Sequence, residues 1–134
     1  MAGITDGTTI GLLEKVAAFG ERRQTVLASN IANIDTPNYH RRDLPVAEFQ
    51  QSLRDAIQSG AGRNDLSTGP AGLPSEFLQA REAGSPSLTF QDNSDRSIER
   101  ETMEMTKNLS MQSFAITVLT TQMGMLQAAI REQA

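Results

Sequence analysis

The side chains of this chain that could do chemistry fall into two short clusters. Ser29, His40 and Asp43 offer the hydroxyl, imidazole and carboxylate of a nucleophilic triad, with His40 the sole histidine. Glu99, Glu101 and Glu104 offer three carboxylates for acid–base work or a divalent cation. Each cluster also has a plainer reading. Pro37 stands between Ser29 and His40, so the spacing does not bring the triad together, and a helix-end serine and a turn histidine account for it. Acidic residues at a helix start are stabilised by the helix dipole and form a solvated face, and no calcium-loop spacing accompanies these three. Gly60, Gly62, Gly69 and Gly72 fit no phosphate loop, because no strand precedes them and no Gly-Lys-Ser/Thr closes them. We expect no catalytic residue, no bound metal and no cofactor: this chain is not read as an enzyme.

A third polar cluster is denser. In Leu27-Ala28-Ser29-Asn30-Ile31-Ala32-Asn33-Ile34-Asp35-Thr36-Pro37-Asn38-Tyr39, Leu27, Ile31 and Ile34 share one helix face, while Ser29, Asn30 and Asn33 set a hydroxyl and two carboxamides beside it. Such groups compete for backbone hydrogen bonds and weaken a helix interior. Gathered in the last turns, they imply a helix end held by tertiary contacts or a polar strip that bonds a neighbouring chain. Pro37 drives Thr36 out of helical geometry. Asn38, following proline, suits a turn position that needs positive φ.

These residues sit in a chain of 134 with a formal charge of −4, little aromatic content and no tryptophan, which argues against a large core and against nucleic acid as a partner. His40-Arg41-Arg42 is basic, but Asp43 follows, and we read it as a solvated turn. Without cysteine there is no disulfide framework and no thiolate metal site. The first residues, Met1 to Thr8, show no basic and apolar signal pattern, and no apolar stretch is read as a bilayer span.

Two long helices are expected to position the polar run. The first covers 8–35, after cap candidates Thr8 and Thr9, with a stripe of Leu13, Ala17, Gly20, Gln24, Leu27, Ile31 and Ile34 widened by Leu12, Val16, Phe19 and Val26. Gly20 either admits a closely packed helix or simply loses packing volume. The last helix covers 97–132, with Ser94, Asp95 and Ser97 as caps. Its seam alternates steps of four and three through Ile98, Thr102, Met105, Leu109, Gln112, Ile116, Leu119, Met123, Leu126 and Ile130. Between them, 36–58 holds the turn and a short helix opened by Pro45, with Val46, Phe49, Leu53 and Ile57 on one side. Residues 59–96 read as an irregular or flexible loop with apolar islands at Leu73, Phe77, Leu78, Leu88 and Phe90. The expected fold is all-α: one unit, 1–134, whose two long terminal helices pair as an antiparallel coiled-coil-like hairpin. Met103, Met111, Phe114, Val118 and Met125 lie off the seam, and two helices cannot cover them all, so contacts between chains are expected. The methionines either fill gaps in a seam or let one helix accept several neighbours.

The run from Ala28 to Tyr39 resembles the N-terminal signature of the flagellar rod and hook proteins, roughly Ala-Ser-Asn-Ile-Ala-Asn-x-Asp/Asn-Thr-Pro-Gly-Tyr, departing from it at Asn38. The short glycine-rich middle, the stretch Ile98-Glu99-Arg100-Glu101-Thr102-Met103-Glu104-Met105 and the ending Leu126-Gln127-Ala128-Ala129-Ile130 are similar to the proximal rod proteins of that family. The resemblance implies a structural subunit of the proximal rod, assembling through its terminal helices into the shaft that transmits torque and surrounds the export channel. It implies as partners the chain itself, other rod proteins, the inner-membrane ring, the rod-junction protein and the flagellar export apparatus. It also implies a periplasmic basal-body location reached without a cleaved signal peptide, and no direct membrane span. On this reading Leu13, Leu27, Ile31 and Ile34 meet the C-terminal seam at Met105, Leu109, Ile116, Leu119, Met123, Leu126 and Ile130. Ser29, Asn30 and Asn33 hold the helix end or a neighbour, and Pro37, Asn38 and Tyr39 turn the chain outward. The alternatives are a generic coiled-coil adaptor or secretion chaperone, another short axial rod protein, a small hydrolase using His40, and a DNA-associated helical protein.

Overall fold

The computed structural model describes residues 7–58, 73–83 and 98–133. In chain order they form α1 (Gly7–Ala32), β1 (Arg42–Asp43), α2 (Val46–Gln58), a 3-10 turn (Ser75–Leu78), β2 (Arg81–Glu82) and α3 (Ile98–Glu132). The all-α expectation holds, with two long helices and a short one between them. The cap candidates Ser94, Asp95 and Ser97, and the islands Leu88 and Phe90, lie outside the described residues.

α1 begins one residue ahead of Thr8 and ends at Ala32, where Asn33 to Asp35 continue as turns rather than helix. The Asn33 side chain explains the stop: its Nδ2 donates to the Ser29 carbonyl at 2.9 Å, beside the backbone bond from Asn33 N to the same oxygen at 3.1 Å. Thr36 to Tyr39 then close a four-residue turn through a bond from Tyr39 N to Thr36 O of 3.2 Å. Pro37 takes its second position and Asn38, at φ 60°, its third, the pattern of a type II turn. Asn38 therefore adopts the left-handed conformation that its place after proline suggested.

The turn sends the chain back along α1. β1 pairs antiparallel with β2, Arg42 opposite Glu82 and Asp43 opposite Arg81. α2 follows directly, its first helical bond running from Phe49 N to Pro45 O at 3.0 Å. A small core forms on one side of α1. The Phe19 and Phe49 rings stack with centroids 4.0 Å apart, and Phe77 meets Phe49 edge-on at 5.9 Å. Val26, Leu44 and Leu73 are buried with them. Residues 73–83 contribute a turn and a strand, anchored on this core by the apolar islands Leu73, Phe77 and Leu78.

Beside this core α1 carries α3, antiparallel: Asn30 bonds Glu101, Arg23 bonds Glu104, and Gly20 bonds Asn108. The expected helical hairpin is present. At roughly 1.5 Å per residue α3 is about 50 Å long, and in this register its last turns, from about Met125, run beyond Gly7. Gly20 is a point of close approach, since a Cβ there would lie 3.3 Å from Gln112 Cβ.

Candidate assembly interface

The helix-end asparagine Asn30 organises the interior. It is 2% exposed and uses its full hydrogen-bonding capacity. Its Nδ2 donates to Arg42 O at 2.7 Å and to Glu101 Oε2 at 3.1 Å, while its Oδ1 accepts from Tyr39 OH at 2.8 Å and from Arg42 N at 3.0 Å. One carboxamide thereby fixes the end of α1, the returning strand β1 and the start of α3.

Charged groups extend this centre. Arg41 Nε donates to Glu101 Oε1, and Arg41 Nη2 lies 3.8 Å from Asp43 Oδ2. Arg23 grips Asp43 with a two-pronged bond, Nε to Oδ1 and Nη2 to Oδ2, each 2.9 Å, and Nη2 also reaches Glu104 Oε2 at 2.9 Å. Burial works to lower the Arg23 pKa, but the hydrogen bonds and charges of Asp43 and then Glu104 outweigh it and hold the guanidinium above its ordinary value. Two arginines thus face three carboxylates.

Two expectations are corrected here. Glu101 does not belong to a solvated acidic face but is 2% exposed, and Arg41 is not part of a solvated turn but buried against it. The pairing needs one residue from either side of a connection 60 positions long, which neither local pattern reveals. A hint exists in α3 itself, where Glu101, Asn108, Ala115 and Gln122, the four residues buried on this helix, recur every seven positions.

That row also displaces the expected seam. Met105, Gln112, Leu119 and Leu126 are half-buried, but the row between them on the inner side is Glu101, Asn108, Ala115 and Gln122, one residue before Thr102, Leu109, Ile116 and Met123. The helix turns its polar row inward because α1 and β1 hold matching partners. Asn108 Nδ2, for example, donates to Gly20 O at 2.9 Å and Gln24 Oε1 at 2.8 Å. Leu109, Ile116, Met123 and Ile130 consequently face outward, between 45% and 62% exposed. On α1 the stripe stands much as read, with Leu27 buried and Leu13, Ile31 and Ile34 half-buried. Asn33 and Tyr39 are half-buried, and Ser29, Pro37 and Asn38 are exposed.

The triad on paper is dispersed. Ser29 is exposed, Asp43 is held by Arg23, and His40 Nδ1 lies 3.7 Å from Glu82 Oε1. Glu101 and Glu104 are committed to arginines, and among the described residues no group of three potential ligands could hold a metal ion.

The outer side of α3 is the other distinctive surface. Residues 108–130 carry no Asp, Glu, Lys or Arg. Met111, Phe114 and Met125 are exposed beside the Leu109 row. Thr117, Thr120 and Thr121 turn their hydroxyls onto the carbonyls four residues back, which leaves their methyl groups to the surface. By length and composition this helix could cross a membrane, contrary to the expectation from sequence. Its Asn108, Gln112 and Gln122, however, stand on the side turned toward α1.

Residues 21–40 match the model of a known family, the flagella basal body rod protein. No curated protein matches the chain. The matched segment holds Arg23, Asn30, Pro37, Asn38 and Tyr39, the residues that close α1 and start the polar centre. That family is a structural one, and the likeness to it covers 20 of the 134 residues.

Proposed function

We propose, from the rod-family segment as premise, that this chain is a subunit of the proximal rod, most like the FlgB type, assembling with copies of itself and with other rod proteins into the axial shaft. On this reading it occupies the periplasmic part of the basal body, reaches it through the flagellar export apparatus, and adjoins the inner-membrane ring and the rod-junction protein. The shortness of the stretch between α1 and α3 favours the proximal rod over hook-type proteins with large inserted domains.

The observation that carries the proposal is the uncharged outer side of α3. A monomer gains about 1.5–3 kcal/mol for each large apolar side chain it buries fully, so a row of them held in water favours association. An adaptor or chaperone would share such a face but gives no reason for the Asn30 centre beside a Pro37 turn.

Ile116→Asp with Met123→Asp tests it. Both sites are exposed, so the isolated variant keeps its helical circular dichroism, while motility and recovery of the chain in purified basal bodies are lost. Normal incorporation overturns the proposal.

A further inference from the structure

Of two neighbouring rows on α3, the one turned toward α1 is the less apolar. Glu101, Asn108, Ala115 and Gln122 are buried, whereas Leu109, Ile116 and Met123, each one position further on, are between 45% and 52% exposed. Consecutive helix residues stand about 100° apart, so a turn of α3 about its own axis by roughly half that exchanges the two rows. Met105, Gln112, Leu119 and Leu126, half-buried beside the inner row, stay in the seam through such a turn. The exchange nearly conserves volume at two places, a leucine for Asn108 opposite Gly20 and a methionine for Gln122. Only Ile116 in the place of Ala115 needs more room.

The polar contacts that oppose this turn gather at one end of the row. Glu101 is held by Arg41 and Asn30, and Asn108 by Gln24 and the Gly20 carbonyl. Further along, Ala115 brings no polar side-chain group, and Gln122 keeps a buried Oε1 without a hydrogen-bond partner. An unmatched buried amide oxygen is itself a cost of the observed orientation. The far half of α3 is therefore oriented by the near half. We infer that α3 has two packings against α1, and that Glu101 and Asn108 with their partners form a latch selecting the one that displays the Leu109 row. Packed helices switch between such discrete arrangements rather than deform continuously. With the latch open, α3 turns and the row withdraws against α1. The inference rests on the assembly reading only in that the displayed row is the face offered to neighbours.

The chain has no cysteine, so single thiols report which row faces water. Ala115→Cys and Met123→Cys, at positions 1% and 45% exposed, are reacted with a water-soluble maleimide in two backgrounds. One keeps the latch, and the other opens it with Arg41→Met, Glu101→Thr and Asn108→Ser, which add no large apolar group to the inner row. With the latch, the thiol at position 123 reacts at least about tenfold faster than the one at 115. Without it, the order reverses while the helical circular dichroism is kept. Leu109→Ser with Ile116→Ser, added to the latch-free chain, removes the reason to turn and restores the first order. An unchanged order without the latch overturns the inference, and so does loss of the helical signal, since either shows that no second packing exists. A reversal that the serine variants leave in place overturns it too, because the apolar row then does not drive the turn. Every reading comes from the isolated chain, so such a failure leaves the rod reading to stand or fall on recovery in basal bodies.

Discussion

Asn30 and Glu101 lie 71 positions apart in the chain and share one hydrogen bond of 3.1 Å, the single direct link between the helix-end carboxamide and the buried acid of α3. The same amide bonds both backbone groups of Arg42, so its loss strands groups on three elements at once. Asn30→Ala is expected to destabilise the fold by roughly 2–4 kcal/mol, since each buried polar group left unmatched costs about 1–3 kcal/mol. Urea unfolding followed by circular dichroism measures this; an unchanged midpoint would refute the central role of Asn30.

Arg41 and Glu101 are both almost fully buried, and breaking such a pair from one side costs about 3–5 kcal/mol because the other charge stays behind. Arg41→Met should therefore unfold the protein more readily than Arg41→Met combined with Glu101→Leu. A double-mutant cycle reads the coupling, and strict additivity would contradict it.

Gly20 stands where α3 comes closest. Gly20→Ala gains about 1 kcal/mol of helix propensity but sets a Cβ 3.3 Å from Gln112, so its net effect stays within about 1 kcal/mol. Gly20→Ile adds branched bulk in the same place and should lose about 1–3 kcal/mol. Thermal unfolding of the pair separates close approach from mere missing volume.

At Asn38 the backbone itself is the constraint. Asn38→Val should lose about 1–2 kcal/mol in the left-handed region, while Asn38→Gly is neutral or stabilising. Equal stability of the two variants would show that the turn relaxes to another form.

The sign of the Arg23 shift gives a pH prediction. Its folded-state pKa is raised, so the stability from its pairing is complete below the unfolded value and is lost only as pH rises through the folded one, above the ordinary arginine range. The difference in Tm between wild type and Arg23→Met should therefore remain constant from about pH 7 to about pH 9. A difference that shrinks across that interval would assign the effect to another group.

The elements were legible where one short stretch contains its own reason. Thr36-Pro37-Asn38 announces its turn, and the Leu13-to-Ile34 stripe announces its face. The inward face of α3 was not, because Thr102, Leu109, Ile116 and Met123 make the more apolar row and hydrophobicity alone selects it. The row one residue earlier wins through Arg41, Asn30 and Gly20, distant partners that no periodicity within α3 encodes. Arg41 and Glu101 were missed for the same reason, each looking solvated among its sequence neighbours.

The ionic centre sits at one end of the hairpin, and its bonds form in only one alignment of α1 with α3. Sliding by a heptad would put Asn108 where Glu101 meets Arg41 and leave that arginine without its acid. Together with the Asn108 bonds to Gly20 and Gln24 further along the pair, this centre fixes how far α3 projects past the start of α1. Every copy then has the same reach, with a handful of buried charges and amides serving as its ruler.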